Sequence, residues 1–268
     1  MIKTFDGEHD GVDDEEAVYR SAAEAGDVTA MVRLAEHLEN GAEAEDYDVE
    51  IAAWYQRAAA AGNTEAMFSL GHLCQQEEDL DGAESWWRRG AEAADTECMV
   101  ALASVLRRRG ALAEGESWYR RAADAGETSA MGQLGRMLLD RNDIAEAEPW
   151  LLRAVEGGHH PYVTEALGDL CRDRGDLAGA EAWWRRAAQP GPAKHYPGHI
   201  SAMYRLGSLL ADRGDLEEAQ AWLEKASGHN NKQAMARLAE LLRERGDLEG
   251  ADIWTERAAS TAYYWARR

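Results

Sequence analysis

Tryptophan recurs at Trp54, Trp86, Trp118, Trp150, Trp183, Trp222 and Trp254, at successive intervals of 32, 32, 32, 33, 39 and 32 residues. Self-similarity at a period of this size constrains a chain more than its composition does. It requires a stacked array of small units, each of which buries its apolar face only against its neighbours. Each tryptophan stands in a similar phrase: AAWYQRAAAAG, ESWWRRGAEAA, ESWYRRAADAG, EPWLLRAVEGG, EAWWRRAAQPG, QAWLEKASGHN and DIWTERAAS. An eighth copy, EAVYRSAAEAG at 16–26, puts Val18 in the tryptophan slot.

A second phrase precedes each tryptophan, as in AMVRLAEHL (30–38), AMFSLGHLC (66–74) and AMARLAELL (234–242). Its second residue lies 19 positions before the tryptophan in six copies and 23 before it in the first, so the unit holds two elements and two turns. Both phrases place apolar or small residues at i, i+3, i+4 and i+7, as Met67, Leu70, Gly71 and Cys74 do, which is the stripe of an amphipathic helix. The first element is helix A and the second helix B, and the count predicts seven A helices and eight B helices. Small residues recur on both, among them Gly71, Gly135, Gly168 and Gly207 in helix A, where helix axes come close.

The turn from A to B reads RGDL at 174, 213 and 245 and RGAL at 109. Glycine after a helix takes the left-handed conformation that ends it, and aspartate next caps the following helix. Asn142 tolerates the same conformation. Glu78 does not, so the turn at 78 is expected to differ.

These residues resemble a tetratricopeptide-type array, and specifically its Sel-like subclass, in which an A-x-x-W-Y-x-x-A-A-x-x-G phrase on helix B is followed by A-x-x-x-L-G. Residues 66–91 and 98–126 match that order. Only the first unit, with ENGAEAEDYDVE between its helices, keeps the long A-to-B turn of the Sel-like pattern. The resemblance implies an all-α fold, a right-handed α-solenoid of about seven repeats plus an extra N-terminal helix. Residues 1–13 are expected as an acidic, flexible arm and 14–268 as a single repeat domain with a loop insertion at 189–199. For function it implies a non-catalytic scaffold, adaptor or regulator that holds a protein or peptide in a concave groove lined by helix A.

The formal net charge of −21 argues against nucleic-acid and anionic membrane partners, which need clustered Lys and Arg, and favours a partner of basic character. Residues 1–50 carry sixteen Asp and Glu against Lys3, Arg20 and Arg33, so the acidity is mainly N-terminal. The start lacks the basic and apolar regions of a secretory signal, and no apolar stretch approaches the ~18 residues a membrane helix needs. Three scattered cysteines suit a reducing compartment, and a cytoplasmic protein is expected.

The tryptophans share a helical stripe with Ala and Leu and read as core. Cys74 and Cys171 stand where other copies have leucine and read as small core residues. Each Arg-Gly-Asp triplet reads as a helix-capping turn, not an adhesion motif. No cofactor is implied, and no phosphate-binding, metalloprotease or nucleophile motif occurs, so no enzyme activity is expected. The segment Asp6–Gly11 lacks the closing bidentate glutamate of a calcium loop. The alternative to a scaffold is a small-ligand or metal-ion sensor that uses His159, His160, His195 and His199 in two successive inter-repeat turns.

Carried onto this register, the family's groove positions are Val32, Glu36, Phe68, His72, Val100, Arg107, Arg136, Tyr162, Glu165, Asp169, Tyr204 and Glu240. Phe68, Val100, Tyr162 and Tyr204 are the informative ones, because large apolar side chains on a solvated helix face mark a contact surface.

Overall fold

The computed structural model describes residues 10–41, 48–158, 160–189 and 197–265. Fifteen helices and no strand occupy those residues, in two compact units, Met1–Ala130 and Met131–Arg268. The first unit holds α1 (Asp10–Glu24), then the pairs α2 (Val28–Gly41) and α3 (Asp48–Ala60), α4 (Thr64–Gln76) and α5 (Leu80–Glu92), and α6 (Thr96–Arg108) and α7 (Leu112–Asp124). The second is built from α8 (Thr128–Asp140), which straddles the boundary, and α9 (Ile144–Gly157), followed by α10 (Pro161–Asp173) and α11 (Leu177–Ala187). It continues with α12 (Pro197–Arg213) and α13 (Leu216–Gly228), then α14 (Lys232–Glu244) and α15 (Leu248–Trp265). Even-numbered helices are the seven A helices and odd-numbered ones the eight B helices, so the repeat count reads through to an all-α solenoid. Residues 1–9 and 190–196, which include the start of the acidic arm and most of the insertion, lie outside the described residues.

Turns of one design separate most of the described helices, the turn before α10 excepted. From B to A the chain passes through positive φ at Gly26, Gly62, Ala94, Gly126 and Asn230, and Asp27, Asn63, Asp95 or Asn231 then caps the next A helix. From A to B the positive φ falls on Gly110, Asn142, Gly175, Gly214 and Gly246. The turn at 78 does not differ, contrary to the expectation from its sequence: Glu78 takes φ 62° and the same path. The following Asp79 accepts from the Gly82 backbone N–H at 2.9 Å, and this capping bond, with the packing of both helices, holds the glutamate in a conformation costly for it.

The aspartate that follows the turn caps in only some repeats. Asp79, Asp176 and Asp247 accept from the backbone N–H of Gly82, Gly179 and Gly250, each 2.9 Å away. Asp143 and Asp215 instead accept from the Nε of Arg141 and Arg213, two residues back. The third residue on is glutamate in those two turns, and a Cβ at Gly82 or Gly179 would stand within 2.3 Å of the capping carboxylate. Glycine there leaves room for the cap.

The arginines of these turns reach the preceding B helix. Arg109 pairs with Glu84 at 2.9 Å and Arg174 with Glu148 at 2.6 Å; Arg213 pairs with Glu181 at 2.6 Å, and Arg245 donates to Gln220 at 2.7 Å. The three Arg-Gly-Asp triplets are therefore structural turns whose arginines are already engaged.

The core lies one residue beyond the tryptophan that defines the period. Tyr55, Trp87, Tyr119, Leu151, Trp184 and Leu223 are at most 2% exposed, while Trp86, Trp150, Trp183, Trp222 and Trp254 are half-buried. Each tryptophan of the period lies under the cation three residues on, since i and i+3 share a helix face. Arg57, Arg89, Arg121 and Arg153 lie 4.2–4.6 Å from their ring centroids, Lys225 at 4.2 Å, Arg257 at 4.8 Å and Arg186 at 5.6 Å. Trp54 and Trp118 are buried, at 7% and 8% exposure, as their reading as core expects, whereas in the other five copies the indole is a half-buried shelf covered by a cation. Cys98 is buried, whereas Cys74 and Cys171 are only partly so.

Candidate functional site

In the first unit, α4 and α6 with the turn before α8 enclose a cleft of about 320 Å³. Helix α4 supplies Phe68 and His72, which share a face because they are one turn apart; α6 supplies Glu97, Val100, Ala101 and Ser104, and Glu127 and Ser129 close the end. The Phe68 and His72 rings meet edge to face with centroids 4.5 Å apart, and His72 meets Trp87 at 5.4 Å. Trp87 Nε1 donates to the Phe68 carbonyl at 3.1 Å, so the buried indole fixes the helix turn that carries the cleft's aromatic wall. Phe68 and Val100 remain half-buried and His72 exposed.

In the second unit, α10, α11, α12 and α14 surround a cleft of about 510 Å³ lined by Arg172, Leu177, Trp184, Ser201, Tyr204, Arg205, Ser208, Leu209, Asp212 and Gln233. Arg205 is its electrostatic centre: Nε donates to Glu165 at 2.7 Å and Nη1 pairs with Asp169 at 3.0 Å. Ser201 donates to the same Glu165 carboxylate at 2.5 Å. Burial pushes the Asp169 carboxyl up from the usual carboxylate range, and the nearby Arg205 and Arg172 guanidinium groups pull against that.

The expected groove residues therefore separate. Phe68, His72 and Val100 come together in the first cleft and Tyr204 lines the second, with Glu165 and Asp169 bound to its Arg205. Val32 does not reach the surface, contrary to its expected place in the groove: it is 1% exposed and belongs to the core packed around α2 and α3, where no partner can touch it. Glu36 pairs with Arg33 at 2.7 Å and Glu240 with Arg237 at 3.2 Å. Arg107 is half-buried on α6, Arg136 is exposed and donates to Gln133 at 3.1 Å, and neither lines a cleft. Tyr162 packs its hydroxyl over Gly132, where a Cβ would stand 2.5 Å from the oxygen.

Arg205, Ser201, Glu97 and Glu127 were not legible as site residues. Arg205 adjoins Tyr204 and lies one helical step off the expected groove register, and Glu127 sits in a turn. Of the histidines, His159 and His195 lie outside the described residues, as does the side chain of His199; His160 precedes α10, its ring 6.1 Å from that of Tyr162. Among the described residues no group of three His, Cys, Asp or Glu is placed to hold a metal ion, and no helix is long and apolar enough to cross a membrane.

Two tetratricopeptide repeat family models match the chain, one over residues 133–195 and the other over 200–225. No curated protein matches it in sequence. Its fold is similar to that of c5321, a protective antigen of uropathogenic Escherichia coli strains displaying an SLR fold. The identity is 22% and the TM-score 0.75; the match covers 93% of this chain and 60% of the antigen's, so the chain spans less than two thirds of that structure. A Sel1 repeat protein from Oxalobacter formigenes is 22% identical with a TM-score of 0.61 over 82% of this chain and 100% of its own. PilF of Pseudomonas aeruginosa is 17% identical with a TM-score of 0.59 over 76% of this chain and 97% of its own.

Proposed function

We propose that the chain, a tetratricopeptide-like repeat protein of the Sel-like kind, is a non-catalytic scaffold that holds a protein or peptide partner on its A helices. Repeat folds of this kind generally serve as protein–protein interaction scaffolds. The observation that carries the reading to particular residues is the cleft formed by Phe68, His72 and Val100. There two half-buried apolar side chains from neighbouring A helices line one open cleft together with an exposed histidine. Tyr204 in the second unit supports it in the same way.

The partner has basic character. Supporting this are the net charge of −21 and the acidic side chains on or beside the first A helices, among them Glu36, Glu39 and Glu65. Affinity capture from the native lysate tests both parts. Phe68→Ala with Val100→Ala, and separately Tyr204→Ala, should each deplete the captured partner; retention of the same partner by both variants would reject the A-helix surface. Replacing Glu36, Glu39 and Glu65 with Gln should weaken capture and flatten its salt dependence, and unchanged capture would reject the basic partner.

A further inference from the structure

The two clefts differ in what their charges are already doing. At the second, opposite charges meet inside the chain: Arg205 faces Glu165 and Asp169, Arg172 pairs with Asp173 at 2.8 Å, and Asp212 pairs with Arg237 at 2.5 Å. At the first, Glu97 has no ion-pair partner among the described residues, and Glu127 accepts from the Ser129 backbone N–H at 3.1 Å with no cation beside it. The wall between these two carboxylates is apolar and is held in place by Trp87.

We infer that the first-unit cleft is a specificity pocket for one large apolar side chain with Lys or Arg within two residues of it in the partner's sequence; this rests on the scaffold reading above. A volume of about 320 Å³, at the lower end of small-ligand pockets, accommodates one large apolar side chain with the backbone that carries it and not a helix. In an extended peptide, side chains two residues apart share a face at a separation of roughly 6.6 Å, so a long basic side chain two residues from the anchor reaches the rim. The carboxylates of Glu97 and Glu127, held at the N-termini of α6 and α8 without a cationic side chain against them among the described residues, attract that cation and repel an acidic flank. The anchor supplies burial and the flank supplies discrimination. The second cleft, neutralised by its own ion pairs, exerts no such preference.

The test uses the full chain and three synthetic peptides, acetyl-GKSFSKGS-amide, acetyl-GESFSEGS-amide and acetyl-GKSASKGS-amide, titrated at low salt while the methyl resonances of Val100 are followed by NMR. The first should move those resonances and the other two should not. Glu97→Gln with Glu127→Gln, nearly isosteric, should lower the thermal midpoint by no more than a few degrees through the lost helix-terminus charges and weaken the first peptide by about two- to fivefold for each charge removed. Equal response to the acidic and basic peptides, or an unchanged affinity in the double variant, would overturn the pocket's charge preference. If Phe68→Ala still abolishes partner capture in that case, the scaffold reading stands without it. If no peptide moves Val100 and capture survives both groups of cleft variants, the scaffold reading falls and takes the pocket with it.

Discussion

The indole of Trp87 fills the space that a side chain at residue 71 would need: a Cβ on Gly71 would stand 2.2 Å from Trp87 Nε1. Gly168 and Trp184 repeat the relationship at 2.4 Å. At the same position, Ala35 and Ala103 belong to repeats whose following B helix buries Tyr55 and Tyr119 instead. Gly71→Ala should therefore cost about 1–3 kcal/mol through overpacking, and Trp87→Tyr in the same chain should recover part of it. Urea unfolding of the single and double variants measures both. A single variant as stable as the parent would mean that the indole yields freely.

Two turns carry residues that left-handed backbone disfavours, Glu78 at φ 62° and Ala94 at φ 68°. Among the described residues, seven other turns put glycine at the same positive φ and show what relieves them. Left-handed geometry costs a non-glycine residue roughly 1–2 kcal/mol, and glycine returns part of that gain as unfolded-state entropy. Glu78→Gly and Ala94→Gly should each raise stability by about 0.5–1 kcal/mol, read as a higher urea midpoint at unchanged slope.

Acidification should destabilise the fold. Hydrogen bonds from Arg20, Arg174 and Arg185 hold the carboxyls of Glu50, Glu148 and Glu218 below the usual range. A carboxyl depressed in the folded state binds its proton more readily when unfolded, so its contribution is present above the ordinary value of ~4.3 and disappears as pH falls through the folded value. Asp169, raised by burial, works in the opposite direction. The urea midpoint should drop between pH 6 and 3.5, and Glu148→Gln should make that drop shallower.

The thiols should differ in reactivity. Burial pushes the Cys98 thiol far above its ordinary value, and its Sγ lies 3.8 Å from the Thr64 carbonyl; burial raises Cys74 and Cys171 as well. At pH 8 an alkylating reagent should spare Cys98 until the chain is unfolded and label the two partly buried cysteines slowly, as site-resolved mass spectrometry would show. Rapid labelling of Cys98 in the native protein would mean that α6 opens locally.

Much of the fold was legible because helical periodicity, glycine in the turns and the tryptophan interval all point the same way. Fifteen helices in A and B alternation follow from residues such as Met67, Leu70 and Gly110. Depth was harder to read. The tryptophan that marks the period is covered by its own helix's cation, while the less regular Tyr55, Trp87 or Leu151 beside it fills the core, because the helix rotates by ~100° between the two. Periodicity gives a face but not its orientation, and Val32 was lost to the core for that reason. Charge pairing is set across elements: nothing within α12 announces that Arg205 will meet Glu165 and Asp169 on α10.

The arginines of the A-to-B turns have a consequence for how such a chain changes length. Arg109, Arg174, Arg213 and Arg245 each meet Glu84, Glu148, Glu181 or Gln220, and every one of these acceptors stands two residues before a tryptophan of the period. A unit thus carries both the plug for its predecessor and the socket for its successor. This holds from α6 onward, since α4–α5 carries Glu77 in the arginine slot: copying or deleting one such unit leaves an arginine facing an acidic or amide side chain at the join, and the lengthened chain between Glu181 and Arg213 still closes its pair. Growth by duplication is built into the turn.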